Sequence, residues 1–185
     1  MSPPPDGGDR PPVDAETALS GTAPGHKDEL RLWLRLLSTA RLVEAELRRR
    51  LRLRFATTLP RFDLMAQLHR AGPAGLTAGE VSRRMMVTGG NVTGLAARLE
   101  EEGLVERAPL PGDRRAAVLR LTVLGRREFA RQSAAHEAWV AELLDGLRRG
   151  ERRELLRLLD AARGSVRSAL RDVEREERAM AEAEA

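Results

Sequence analysis

The chain has no cysteine, and its imidazoles are His26, His69 and His136. Thiolate nucleophiles, disulfides, thiol-oxidation switches and cysteine-based metal sites are therefore excluded. No nucleophile stands with a base, no glycine run has the dinucleotide-binding pattern, and no acidic residues and histidines cluster as metal ligands. The expectation is a protein with no catalytic residue, no metal and no cofactor, and not an enzyme. The chemistry left is ionic. The 32 basic residues, nearly all Arg, outnumber the 28 acidic ones, and the pI is near 10.9. That balance is compatible with a polyanionic partner, although Arg on a helix is often simply solvated.

The side chains that could meet such a partner have to be carried by something, and apolar periodicity reveals what. A chain of 185 residues suits one domain with tails. Residues 1–25, rich in Pro and Gly, have little to bury and read as a disordered tail. No signal peptide or apolar run of membrane-spanning length is evident, so a soluble, cytoplasmic protein without membrane association is expected.

Leu30, Trp33, Leu34, Leu37, Ala40, Val43, Leu47 and Leu51 recur at helical spacing, predicting a long helix that ends near Phe55. Phe62, Met65, Ala66 and Leu68 predict a second, closed by Gly72, Pro73 and Gly75. Thr77 and Glu80 form a capping box at the start of a short third helix that ends near Met85 or Met86. A fourth begins near Thr88, runs through Val92, Leu95, Ala96 and Leu99 to Glu102, and is stopped by Gly103. Two short helices joined by a three- or four-residue turn meet the requirement of a helix-turn-helix.

Segments 104–108 and 117–122 then predict a β-hairpin around a tip at 109–115, where a wing belongs. Thr122 is placed to cap a fifth helix, on which Phe129, Ser133, His136, Val140, Leu143 and Leu147 form the expected stripe. A last helix carries Leu155, Leu159, Ala162, Val166 and Leu170. Long helices at both ends, with apolar stripes that a small domain does not cover, predict a homodimer; packing within one chain is the alternative.

From Trp33 to Val166 the chain resembles the MarR family of regulators. Three stretches carry the resemblance: L-T-A-G-E-V-S-R-R-M-M-V-T-G-G-N-V-T-G-L-A-A-R-L-E-E-E-G-L-V-E-R from Leu76 to Arg107, the tip P-G-D-R-R from Pro111 to Arg115, and L-T-V-L-G-R from Leu121 to Arg126. The fold implied is mainly α with a small β-wing, a winged helix-turn-helix flanked by N- and C-terminal dimerisation helices. The domain plan is a tail at 1–25, a MarR-like domain at 26–172 and a charged tail at 173–185. Within it, a DNA-binding lobe occupies 57–123 and dimerisation helices occupy 26–56 and 124–172.

The resemblance implies that the helix from Gly89 to Glu102 enters the major groove of double-stranded DNA. Thr88, Asn91 and Thr93 would then meet bases or phosphates, with Asn91 best suited to the N6 and N7 edge of adenine. Thr88 and Asn91 are also residue types that serve purely as helix caps. Gly89, Gly90 and Gly94 depart from the longer polar residues common in the family, and are expected to let the backbone approach DNA closely. In the wing, the resemblance assigns Arg115 to the minor groove, Asp113 to orienting it and Arg114 to phosphate; a solvated charged turn is the alternative. Arg83, Arg84, Arg98 and Arg107 are further phosphate candidates, and Arg98 is equally suited to hold Asp113. A two-fold dimer predicts a palindromic operator with half-sites about 10 bp apart.

The resemblance also implies a repressor released by a small molecule. Trp33, Phe62, Met65 and His69, with His136, are the candidates to line such a site where the first, second and fifth helices meet, unless they are plain core. The runs L-P-R-F-D-L-M-A-Q-L and M-V-T-G-G-N-V-T-G are similar to the branch that answers to aromatic acids and their CoA thioesters, and Arg31, Arg35 and Arg61 are cations that could meet such acids. A non-specific nucleoid-type binder, an interaction module and a small enzyme are the competing readings.

Overall fold

The computed structural model describes residues 27–110 and 113–183, except for the side chains at 110, 113–116 and 183. The stretch at 1–25 and the tip Pro111-Gly112 lie outside the described residues. The chain divides into two compact units, one ending at Val140 and one beginning at Ala141.

In the first unit, α1 (Lys27–Phe55) buries only Leu47 and Leu51. The earlier part of its stripe, Leu30, Leu34 and Leu37, is half-buried, and Trp33 is 57% exposed. Helix α2 (Leu59–Ala71) opens with Pro60, whose fixed φ suits a first turn, and ends at Gly72 with φ 63°. A 3-10 turn (Gly72–Ala74) leads to β1 (Leu76–Thr77). Helix α3 (Ala78–Met85) has the expected capping box. The Thr77 hydroxyl accepts from the Glu80 N–H at 3.3 Å, and the Glu80 carboxylate accepts from the Thr77 N–H at 2.7 Å. Helix α4 (Gly89–Glu101) buries Val92, Ala96 and Leu99. It is closed by Gly103 at φ 69°, with the Leu104 N–H donating to Leu99 O at 2.8 Å.

The hairpin is longer than the sequence suggests. Strands β2 (Val105–Leu110) and β3 (Asp113–Leu121) extend pairing into the segment expected as a broad tip. Val105 faces Leu121 and Pro109 faces Ala117, followed by a register shift that sets Leu110 opposite Asp113. Pro109, which cannot donate a ladder hydrogen bond, is accommodated because β2 is an edge strand. The two-residue β1, unexpected from sequence, adds to the other side of β3 in the order β1-β3-β2. Gly75, just before it, has φ 71°, and a Cβ there would lie 2.6 Å from Leu119 O.

Helix α5 (Val123–Leu143) begins where expected, the Gly125 N–H donating to the Thr122 hydroxyl at 2.9 Å. Its buried face is Gly125, Phe129, Gln132, Ala135 and Trp139, not the stripe through Ser133, Val140 and Leu143, and the helix stops before Leu147. Phe62, Leu64, Met65, Leu68, Val81, Val92, Leu99, Leu119, Leu121 and Phe129 belong to one core cluster. Burying each large apolar side chain is worth roughly 1.5–3 kcal/mol.

The second unit is dominated by α6 (Arg149–Ala183), started by the Arg148 N–H donating to Glu151 at 2.8 Å. It continues through the segment read as a charged tail. Leu155, Leu159, Val166 and Leu170 are 40–59% exposed in the single chain.

Gly125 marks the tightest joint. A Cβ there would lie 1.9 Å from the backbone oxygen of Leu104, so neither partner can yield by a rotamer change. Gly125→Ala is expected to destabilise the protein by at least about 1–3 kcal/mol, while Gly79→Ala, which meets nothing nearer than 3.8 Å, keeps or raises stability. Thermal melts of both variants check this.

Candidate nucleic-acid interface

Helices α2, α3 and α4 pack on one another and on β3 or β2. The buried residues Val92, Ala96 and Leu99 recur at i, i+4 and i+7, so burying them turns the rest of α4 outward. Thr88, Gly89, Gly90, Asn91, Thr93, Gly94 and Arg98 are all exposed. Thr88 occupies the N-cap position but makes no side-chain cap bond. Asn91 is at the third position of the first turn. Thr93 is turned back on its own helix, its hydroxyl donating to Gly89 O at 3.1 Å. Apart from chain neighbours and α4's own backbone, no atom of the described residues comes within 4 Å of where a Cβ would stand on Gly89, Gly90 or Gly94. These glycines are therefore not required by packing.

The turn before α4 is held by three hydrogen bonds: Met86 N–H to Arg83 O at 3.4 Å, Val87 N–H to Ser82 O at 3.2 Å, and the Ser82 hydroxyl to Val87 O. Met86 sits in the left-handed region at φ 54° and is 93% exposed. Sequence reasoning placed it only as a helix end. The signal was a residue other than Gly at a helix stop.

Arg83 and Arg84 are exposed on α3. Arg107 is tied to Glu100 at 2.8 Å, which neutralises one phosphate candidate. In the hairpin, Asp113, Arg114 and Arg115 lie on β3, and their side chains fall outside the described residues. The Thr122 hydroxyl also donates to Gly103 O at 2.7 Å, linking the end of α4 to the start of α5.

The residues proposed for a small molecule separate. Phe62, His69, Phe129 and His136 come together: Phe62 stacks on His136 at 4.7 Å, and His69 lies 4.8 Å from Phe129. Met65 is fully buried in the core. Trp33, in contrast, is exposed on α1, well before the part of that helix that joins the core. A cavity of about 430 Å³ opens elsewhere, lined by Phe55, Thr57, Arg61, Glu102, Leu104, Leu124, Glu128, Arg131 and Gln132 among others. Arg61 pairs with Glu102. Glu128 is held below the usual carboxylate range, chiefly by Arg131, and also accepts from the Gln132 amide at 2.8 Å. Arg61 Nε and Gln132 Oε1 are buried without a hydrogen-bond partner. The sequence pointed to Arg61 in this role but not to Gln132, which reads as one more polar residue on a helix.

A helix-turn-helix whose second helix is seated by an apolar face, followed directly by a two-stranded hairpin, defines a winged helix-turn-helix. The MarR family model matches residues 57–116. The regulator PecS of Dickeya dadantii is 34% identical over 62 residues, 33% of this chain and 37% of PecS. The chain thus spans little more than a third of the length of the curated relatives it matches. A MarR family transcriptional regulator from Silicibacter pomeroyi is 34% identical in its crystal structure, with a TM-score of 0.63 over 80% of this chain and 99% of that one. Sco3205 of Streptomyces coelicolor, solved in complex with DNA, shares the fold at 22% identity and a TM-score of 0.66, over 77% of this chain and 90% of that one. The chain belongs to the MarR family.

Burial holds the His136 imidazole below its ordinary pKa of 6.5. As pH falls, the unfolded chain therefore takes up this proton first. The stability contributed by neutral His136 is present above about pH 6.5 and lost as pH drops through the folded value. Denaturant melts from pH 7.5 to 5 are expected to show that loss, and His136→Phe, which preserves the stack on Phe62, to flatten it.

Proposed function

We propose that this chain is a sequence-specific, double-stranded DNA-binding transcriptional regulator, acting as a homodimer on a palindromic operator. The observation that carries this reading is the outward face of α4, where Thr88 and Asn91 stand exposed at the end of the helix that a helix-turn-helix presents to the major groove. In this reading Asn91 contacts a base, Thr88 and Thr93 contact base or phosphate, and Arg98, Arg114 and Arg115 supply cations, with Asp113 orienting the wing. The open space over Gly89, Gly90 and Gly94 supports close approach of the backbone to DNA. The exposed leucines of α6 and the exposed start of α1 support dimerisation through 26–56 and 124–172.

The regulator is a repressor released by an aromatic acid or its CoA thioester. Support for a small-molecule site comes from the cavity beside Arg61 and Gln132, whose orphaned polar atoms are groups that buried sites ordinarily satisfy. In this cavity Arg61 and Gln132 would hold the effector, whereas Phe62 and His69 do not line it and Met65 is closed off in the core. Trp33 belongs to the site only if a second subunit covers it.

The test is a gel shift of the purified protein on the DNA upstream of its own gene and on a scrambled duplex, repeated at rising salt. The native fragment is expected to be bound at least tenfold more tightly, and an effector to release it. Equal, salt-sensitive binding to both would leave a nucleoid-type binder as the reading. Gly94→Ala is expected to stabilise the helix by roughly 0.5–1 kcal/mol and at the same time weaken operator binding.

A further inference from the structure

We infer that Met86 is a specificity-determining residue that lays its side chain against the 5-methyl group of a thymine at the edge of the operator's major groove; this rests on the DNA-binding reading above. Around the recognition helix the usual placement of residues is inverted. Glycine is unfavourable inside a helix and favourable at a left-handed stop. Here Gly89, Gly90 and Gly94 occupy α4, with nothing packed above them, while the left-handed stop of α3 is a methionine at φ 54°. Glycine fills the positive-φ positions Gly72, Gly75 and Gly103, and the other non-glycine residue at positive φ is Ala56, at φ 49°, whose side chain is a single methyl group.

The left-handed turn serves the fold, but the methionine side chain adds nothing to the core in return, since Met86 is 93% exposed. A residue that breaks a local rule without a packing gain marks a place where function sets its identity. Its backbone is nevertheless fixed by the hydrogen bonds from Met86 N–H to Arg83 O and from Val87 N–H to Ser82 O. A flexible apolar arm on a fixed base therefore projects two residues before Thr88, at the end of α4 that enters the groove. The bare glycine turn beside it brings the duplex near enough to be reached. Among the apolar features of base edges in the major groove, the thymine methyl is the one that discriminates between base pairs. A polarisable thioether adapts well to such a contact.

The decisive experiment compares the native protein with Met86→Gly and Met86→Leu on the native operator and on duplexes in which single thymines are replaced by deoxyuridine, which lacks only the methyl group. Met86→Gly relieves the positive φ, so its melting temperature is expected to rise, separating any binding defect from misfolding. The native protein should lose about three- to tenfold in affinity at one deoxyuridine position in each half-site, the scale of one methyl group's burial. Met86→Gly should bind the thymine operator that much more weakly and be indifferent to deoxyuridine there, while Met86→Leu retains the thymine preference. If the native protein prefers its operator but Met86→Gly binds it equally well, or shows the same deoxyuridine penalty, the Met86 assignment is overturned and the regulator reading stands. If the native protein does not distinguish operator from scrambled DNA, both fall.

Discussion

The seating of α4 on the core governs everything the first unit can do. Val92, Ala96 and Leu99 are fully buried, and they are small or medium in size, so the helix axis comes close to α2 and α3. Because the three lie along one face, rotation of α4 about its axis would carry buried apolar surface toward water. The orientation of Thr88, Asn91 and Arg98 is therefore a consequence of apolar burial on the opposite side. The capping box of Thr77 and Glu80 and the hydrogen-bonded turn at Ser82 to Val87 act on the same object, fixing where α4 begins. The closure at Gly103 fixes where it ends.

The joint between the wing and α5 is built with equal economy. The Thr122 hydroxyl donates to Gly103 O and accepts from the Gly125 N–H, so one side chain joins the end of α4, the end of β3 and the start of α5. Gly125 lets α5 lie directly on the Leu104 backbone. Such contacts between main chains leave little room for independent movement, and a change at the base of α5 is felt at the end of α4. The Arg61–Glu102 pair makes a second bridge, from α2 to the residue that ends α4.

The charge pattern acquires meaning from pairing. On α1, α5 and α6, Arg48, Arg49, Arg131, Arg157 and Arg163 each bond a carboxylate three or four residues before them, and Arg148 bonds Glu151. Exposed pairs of this kind add little stability, but they neutralise much of the basic excess where it lies. Among the described side chains, no ion pair engages Arg83, Arg84 or Arg98. Arg83, Arg84 and Arg98 thus add exposed positive charge to the helix-turn-helix, a placement that net charge alone could not have located.

Much of this was legible in the sequence, because helices announce themselves through periodic burial and through caps that act within four residues. The bounds of α1 to α4, the capping box at Thr77, the stop at Gly103 and the cap at Thr122 all rest on such short-range physics. The parts that escaped depend on partners distant in the chain. A two-residue β1 has no alternation to read and exists because β3 offers it an edge. The buried face of α5 runs through Gln132 and Trp139 instead of Ser133 and Leu143, since what α5 packs against decides which of its faces is inside. The separation of Trp33 from Phe62 and His69, the pairing of Arg61 with Glu102, and the exposure of Met86 were likewise invisible. Residue type and spacing determined the elements and their order; only tertiary packing decided which side chains face one another, because burial is a property of a surface and its neighbour together.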